Sequence, residues 1–264
     1  MAKDSGRRGV ITMYGTKPWY EAATLDSLLN VLDALSLSPT GWSFDERTNL
    51  PFAKDELLAR AGTGVATTGA SLFLRNKGVK KYEAWITLGK TPMLRVEFGR
   101  GLPKQYWKDV FDLADALVHT FAPDLGMAHV GPPYDYPWQT DLDRDAELIG
   151  GAADLAYKDH YKFGPLGLAA RTYLGPHYAA QFGKESLLST PAATVREDER
   201  GGITIDLTDN PWDVELEPLV SAWRAAMEHL RPAEVFATCE VKPTGLKVYK
   251  RGARCQIGGV VKAS

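Results

Sequence analysis

Glu240-Val241-Lys242 is the stretch of this chain that comes nearest to a catalytic signature. A carboxylate and a lysine two apart on a strand point to the same side, and metal-dependent nucleases of the restriction-endonuclease type use that arrangement. The carboxylate holds the metal and the lysine sits beside the attacking water. Such a centre needs a second carboxylate, and Asp213 or Asp206 upstream is the candidate. A predicted helix separates both from Glu240, where a hairpin normally sets the acids side by side.

Other chemistry is weaker. Gly62-Thr63-Gly64 precedes a strand and lacks a following Lys-Ser/Thr, whereas a phosphate loop opens a helix whose amides hold the anion. The five histidines, His119, His129, His160, His177 and His229, include no pair four apart on one helix. A metal site from His160 and His177 would need carboxylates supplied by the fold. Ser186 and Ser189 lie in no nucleophile-elbow sequence. Cys239 and Cys255 have no ligand spacing and read as two free thiols. The reading is a chain that is not an enzyme and carries no cofactor or metal.

The elements that would position these groups follow from periodicity. A strand is predicted at Gly9–Thr16. A helix follows at Thr24–Leu35, capped by Thr24, with apolar residues at Leu25, Leu28, Leu29, Leu32 and Leu35. Next come a strand near 41–44, a short helix near 53–60, and the glycine-rich turn GTGVATTG. Strands at 70–75, 81–88 and 93–98, with short links, predict an antiparallel meander. Pro103 opens a helix to Phe121, and a strand at 125–130 closes this half. PPYDYPW, at Pro132 to Trp138, reads as a hinge. The expected division is 1–131, an N-terminal α+β half, and 132–264, a C-terminal α+β half with a basic tail from about 233.

In the second half, an acidic, partly helical segment runs to Asp159. From Gly167 to Ala192 the sequence GLAARTYLGPHYAAQFGKESLLSTPA reads as interrupted helix: Leu168, Tyr173 and Leu174 on one face, a restart at Pro176, a stop at Gly183, and a last turn at 184–188. A hairpin is predicted over 194–199 and 203–207. A helix follows near 216–230 with Asp209 or Asn210 as cap and Pro211 in its first turn, and further strands at 246–250 and 255–257. The fold class is α+β, with antiparallel or mixed sheets covered by helices and two subdomains as an option.

At 264 residues, with 44% apolar and 24% charged residues, the chain can bury a large core. The charged start lacks an apolar run and no window approaches the roughly 18 apolar residues of a membrane span, so cytoplasmic residence without membrane contact is expected. The net charge of −2 hides an asymmetry: residues 135–217 carry 16 Asp/Glu against 7 Lys/Arg, a net of −9. Such a segment repels nucleic acid and steers a basic partner.

The run GLAARTYLGPHYAAQFGKESLLSTPA, the hairpin GGITIDLTDNPWD and the helix ending AMEHLRP resemble immunity proteins of bacterial type VI and other polymorphic toxin systems. The pattern is most similar to the immunity protein 52 family over about Tyr134 to Pro232, through its R-T-Y-L-G-P, L-L-S-x-P and G-G-I-T-I-D-L stretches. The resemblance implies a stoichiometric inhibitor of a cognate toxin effector, often a nuclease of restriction-endonuclease type, with no direct contact to nucleic acid. Combined with the charge asymmetry, it makes Asp141, Asp143, Asp145, Glu147, Glu197, Asp198, Glu199 and Asp213 the candidate toxin-binding acids. Trp138, Tyr157, Tyr161 and Trp212 are candidate aromatic anchors. Solvated charge and core packing are the ordinary alternatives for these residues. A scaffold that binds some other protein is the third reading.

Overall fold

The structure, a computed structural model, describes residues 6–15, 19, 21–61, 71–89, 91–131, 138–213 and 215–257, apart from the side chain of Tyr157. The predicted turn at 62–69 and hinge residues 132–137 lie outside that set.

A ten-stranded antiparallel sheet organises the α+β fold. Its strands are β1 (Arg8–Tyr14), β2 (Gly41–Ser43), β3 (Leu50–Pro51), β4 (Ser71–Asn76), β5 (Tyr82–Thr87), β6 (Met93–Phe98), β7 (Leu125–Gly131), β8 (Arg171–Leu174), β9 (Thr194–Glu197) and β10 (Ile203–Asp206). Their spatial order is β3-β2-β4-β5-β6-β1-β7-β8-β10-β9. The predicted boundary at 131/132 falls between β7 and β8, which pair directly, Ala128 opposite Arg171. A separate ribbon pairs β11 (Thr238–Val241) with β12 (Lys247–Lys250).

Alternation along the strands decides which helices go where. On one face, α1 (Ala22–Ala34) buries Leu25, Leu28, Leu29 and Leu32 above β4–β6, whose Leu72, Leu74, Ala84, Ile86, Leu94 and Val96 are buried. Each such leucine contributes about 1.5–3 kcal/mol. The hydroxyl of Tyr82 donates to the Leu37 carbonyl just beyond α1. α2 (Lys54–Ala61) and α3 (Trp107–Phe121) lie on the same side, and α3 buries Val110, Leu113, Ala114 and Leu117 against β1 and β7.

On the opposite face α4 (Asp141–Ala153) covers β1 and β7 and packs against α8 (Leu216–Leu230). The Thr12 hydroxyl donates to the Ala153 carbonyl and the Tyr14 hydroxyl to that of Leu155. α5 (Tyr157–Phe163), α6 (Pro176–Phe182) and α7 (Lys184–Leu188) complete the second half.

Four local expectations need correction. Residues 171–174 form strand β8 rather than helix, because all four are buried and show no alternation to reveal a strand. Glu21, not Thr24, caps α1, and Thr24 is buried inside it. Glu215 caps α8, so Pro211 belongs to the preceding turn. Residues 255–257 are not a strand. Pro176 does open α6, and Gly183, at φ 85°, ends it.

Candidate functional site

The acids expected to meet a partner are largely engaged within the chain. Thr140 caps α4 by accepting from the Asp143 amide, and the Asp143 carboxylate accepts from the Thr140 amide in return. Asp141 pairs with Arg144. Asp145 is buried, its side chain 6% exposed, between Arg144 and Arg224 of α8, and so clamps the two helices together. Glu147 pairs with Lys247 of the ribbon at 3.0 Å.

In the hairpin Glu197 pairs with Lys184, and Asp198 accepts from the Arg200 and Gly202 amides and from the Tyr173 hydroxyl. Glu199 is exposed at the turn. Arg200 reaches the carbonyls of Val118 and His119 at the end of α3, whereas α4 lies across the sheet on the other face. The hairpin's Arg200 thus lies on the α3 side, while its Glu197 is held by Lys184 of α7, which packs against α8. Asp213 pairs with Lys104, and the half-buried Trp212 meets Phe111 edge-on at 6.0 Å beneath the Lys108 ammonium. Trp138 is half-buried ahead of α4. The Tyr161 hydroxyl accepts from the Gly15 amide and donates to the Pro92 carbonyl.

The catalytic candidates are scattered. Glu240 and Lys242 form an exposed ion pair on the ribbon. Asp206 is buried and takes two hydrogen bonds from Arg171, of 2.5 and 2.9 Å, while Arg171 also reaches Asp115. His160 is buried and stacked on Tyr14 at 3.9 Å, and burial pushes its pKa down to about 3. His177 instead faces the Gln256 carbonyl and Gln181. Among the described residues, no three His, Cys, Asp or Glu side chains are grouped as metal ligands. Cys239 and Cys255 are free thiols whose pKa values burial raises.

A different surface stands out. Among the described residues the helices of the second face lie over β1 and β7, and a groove of about 600 Å³ runs along β4, β5 and β6. The register puts Phe73, Trp85 and Arg95 in one row and Arg75, Glu83 and Glu97 in the next. The Phe73 and Trp85 rings stack at 6.3 Å with 14° between planes. The Trp85 indole N–H donates to the Ser71 hydroxyl, which fixes the ring along the strands.

The cations of this face are recessed. Arg75 is 14% exposed and donates to Glu83, to the Ser43 hydroxyl and to the carbonyls of Glu46 and Thr48. Arg95 is 16% exposed and bridges Glu97 and Asp154, the residue that ends α4. Arg8 joins the same two acids at 2.8 Å each. Burial opposes ionisation of Glu97, yet hydrogen bonds from Arg95 and the charges of Arg8 and Arg95 hold its carboxyl below the ordinary range.

Sequence reasoning passed over these residues. The available signal was the alternation in SLFLRN, YEAWIT and MLRVEF, which places aromatic and charged side chains in one register opposite the apolar one.

No protein-family model matches the chain, and no curated protein matches it. Among solved structures, it is similar to a Pseudomonas aeruginosa T6SS protein at 14% identity and a TM-score of 0.48, over 94% of this chain and 80% of that one. A likeness this distant assigns no activity.

Proposed function

We propose that this chain is an immunity protein, which binds a cognate secreted bacterial toxin and neutralises it in a stoichiometric complex. The observation that carries the reading is the groove along β4, β5 and β6, over which none of the described helices is packed, lined by aromatic and charged side chains on a continuous sheet. A surface built on paired strands loses little conformational freedom on binding, which favours tight association. The resemblance of residues 134–232 to immunity proteins supports the same reading. Its R-T-Y-L-G-P and G-G-I-T-I-D-L stretches become β8 and β10, whose buried Arg171–Asp206 pair joins them. The net charge of −9 over 135–217 suits a basic target, and a nuclease must carry a basic cleft for phosphates. Cytoplasmic residence would fit a toxin that attacks nucleic acid or another cytosolic target.

Co-expression with the toxin gene adjacent to its own tests this. The expected result is restored growth and co-purification as one complex of fixed stoichiometry. A chain that neither rescues growth nor co-purifies, or that cleaves DNA or RNA itself with Mg²⁺ or Mn²⁺ present, refutes the proposal.

A further inference from the structure

We infer that the cleft between α4, α8 and the β11–β12 ribbon is a binding site for a small amphipathic anion, an apolar chain ending in a carboxylate. It lies apart from the β4–β5–β6 groove and does not depend on the immunity reading.

The cleft has a volume of about 510 Å³, within the roughly 300–1,000 Å³ of small-molecule sites. Four separate segments wall it. Leu148 comes from α4, Leu166 from the link ahead of β8, Trp223 and Met227 from α8, and Phe236 from the stretch that leads into β11. These walls are held in place within the chain. The Trp223 indole N–H donates to the Leu168 carbonyl at 3.1 Å, and the Phe236 ring packs on Phe182 at 4.8 Å. The Ala237 amide donates to the Pro165 carbonyl at 2.7 Å. A recess fixed in this way loses little freedom when it is filled, and the flexible Met227 lets it adapt to the shape of a chain.

The charge at the mouth selects the head group. Arg231 stands at the end of α8 and Arg251 directly after β12, both exposed and both lining the cleft. Among the described residues neither has a carboxylate partner, and the Arg231 guanidinium makes no hydrogen bond. Arg251 donates to the Lys162 carbonyl through Nε and Nη2, which aims the guanidinium and leaves Nη1 as a donor. Gly252 brings Arg251 there, since a Cβ at that position would lie 2.5–2.6 Å from the carbonyl oxygens of Glu234, Val235 and Phe236. Only glycine lets the loop close so tightly on the wall. Glu234, the acid among the described lining residues, is paired with Arg254 at 3.3 Å. A carboxylate therefore finds two cations with unused donors while its chain enters the apolar recess. A cationic head would meet like charge.

The experiment titrates the full chain, with nitrogen-15 in its indoles, with decanoate below its micelle concentration. The Trp223 indole signal is assigned by Trp223→Phe. Decyltrimethylammonium supplies the chain with the opposite charge, and acetate the head group alone. The expected result is a saturable shift of the Trp223 signal by decanoate, weaker with decyltrimethylammonium and absent with acetate. Arg231→Gln should weaken decanoate binding about 3- to 10-fold, and Arg231→Gln with Arg251→Gln should weaken it further. Arg231 has no internal bond to lose, so its variant separates binding from folding, and thermal melting confirms this for both. Lys77→Gln, an exposed cation on the β4–β5 turn, should leave binding unchanged. Cys239, half-buried in the cleft wall, gives a second readout: decanoate should slow its alkylation by iodoacetamide, followed by peptide mass spectrometry. No saturable shift, an equal response to decyltrimethylammonium, undiminished binding in the arginine variants, or unprotected Cys239 overturns the inference.

Discussion

Gly175 stands in the R-T-Y-L-G-P stretch, and its backbone at φ −63° is open to any residue, so its identity must be set by space. A Cβ built there would lie 2.6 Å from the Pro123 carbonyl oxygen and 3.0 Å from both the Asp124 Cα and its carbonyl oxygen. All three atoms are backbone at the entrance to β7, so no side chain can swing aside. Gly175→Ala therefore pushes β8 and the start of α6 away from β7. Carbon contacts prefer roughly 3.5–4 Å, which demands most of an ångström of displacement. The same shift stretches the 2.8 Å hydrogen bond from the Gly175 amide to the Asp124 carbonyl. Overpacking of this kind costs about 1–3 kcal/mol, and loss of the bond adds about 1 kcal/mol. For a chain of this size the combined effect is a fall in Tm of about 4–12 °C.

Differential scanning calorimetry reads that fall directly, and partner affinity per folded molecule should stay unchanged. Gly183→Ala makes the comparison, since nothing lies within 4 Å of its added methyl and only its φ of 85° is strained. That variant should cost about 1–3 kcal/mol. A Gly175→Ala protein that melts within a degree of the parent would refute the close-approach argument.

Three further outcomes are expected. His129 and His160 are buried, and burial lowers their pKa values to about 4 and about 3, with Arg7 and Arg8 also lowering that of His129. The unfolded chain takes up these protons from pH 6.5 downward while the folded chain does not, so stability falls as pH drops from 6.5 towards 4 by about 3 kcal/mol per histidine. Asp115 and Asp124, whose carboxyls burial pushes up, act with the opposite sign in the lower part of that window. Urea unfolding at pH 7 and pH 5 should show the loss, and His160→Phe should flatten it; an unchanged slope counts against the assignment. Asp206→Asn leaves the buried Arg171 with only the half-exposed Asp115 as carboxylate partner, an expected loss of about 3–5 kcal/mol in urea unfolding; a loss under about 1 kcal/mol would show that Asp115 suffices. Reversing Asp141 and Glu199, both exposed, should weaken toxin binding at low salt and lower its salt sensitivity if the acidic segments touch the toxin, and affinity at two ionic strengths decides it.

Much of the local structure was legible because a single periodicity was enough. The leucines of α1 and the apolar stripe of α3 mark their helices, and the alternation in residues 71–98 marks the meander. Pro176 and Gly183 mark the ends of α6. Strand β8 escaped because a four-residue segment buried on both faces has no period to read. The acidic residues were visible, but not that Asp145 would be buried between two arginines from two helices.

The amino-acid sequence by itself thus determined most of the elements, the class α+β and the charge asymmetry, all of which depend on neighbours along the chain. Only the tertiary structure decided that β1 lies between β6 and β7, that α4 ends at Asp154 against Arg8 and Arg95, and that Phe73 and Trp85 stack side by side on β4 and β5. These are pairings across long sequence separations, Arg8 to Asp154 among them. They are set by which apolar faces bury each other best, a property of the whole core that no local pattern records.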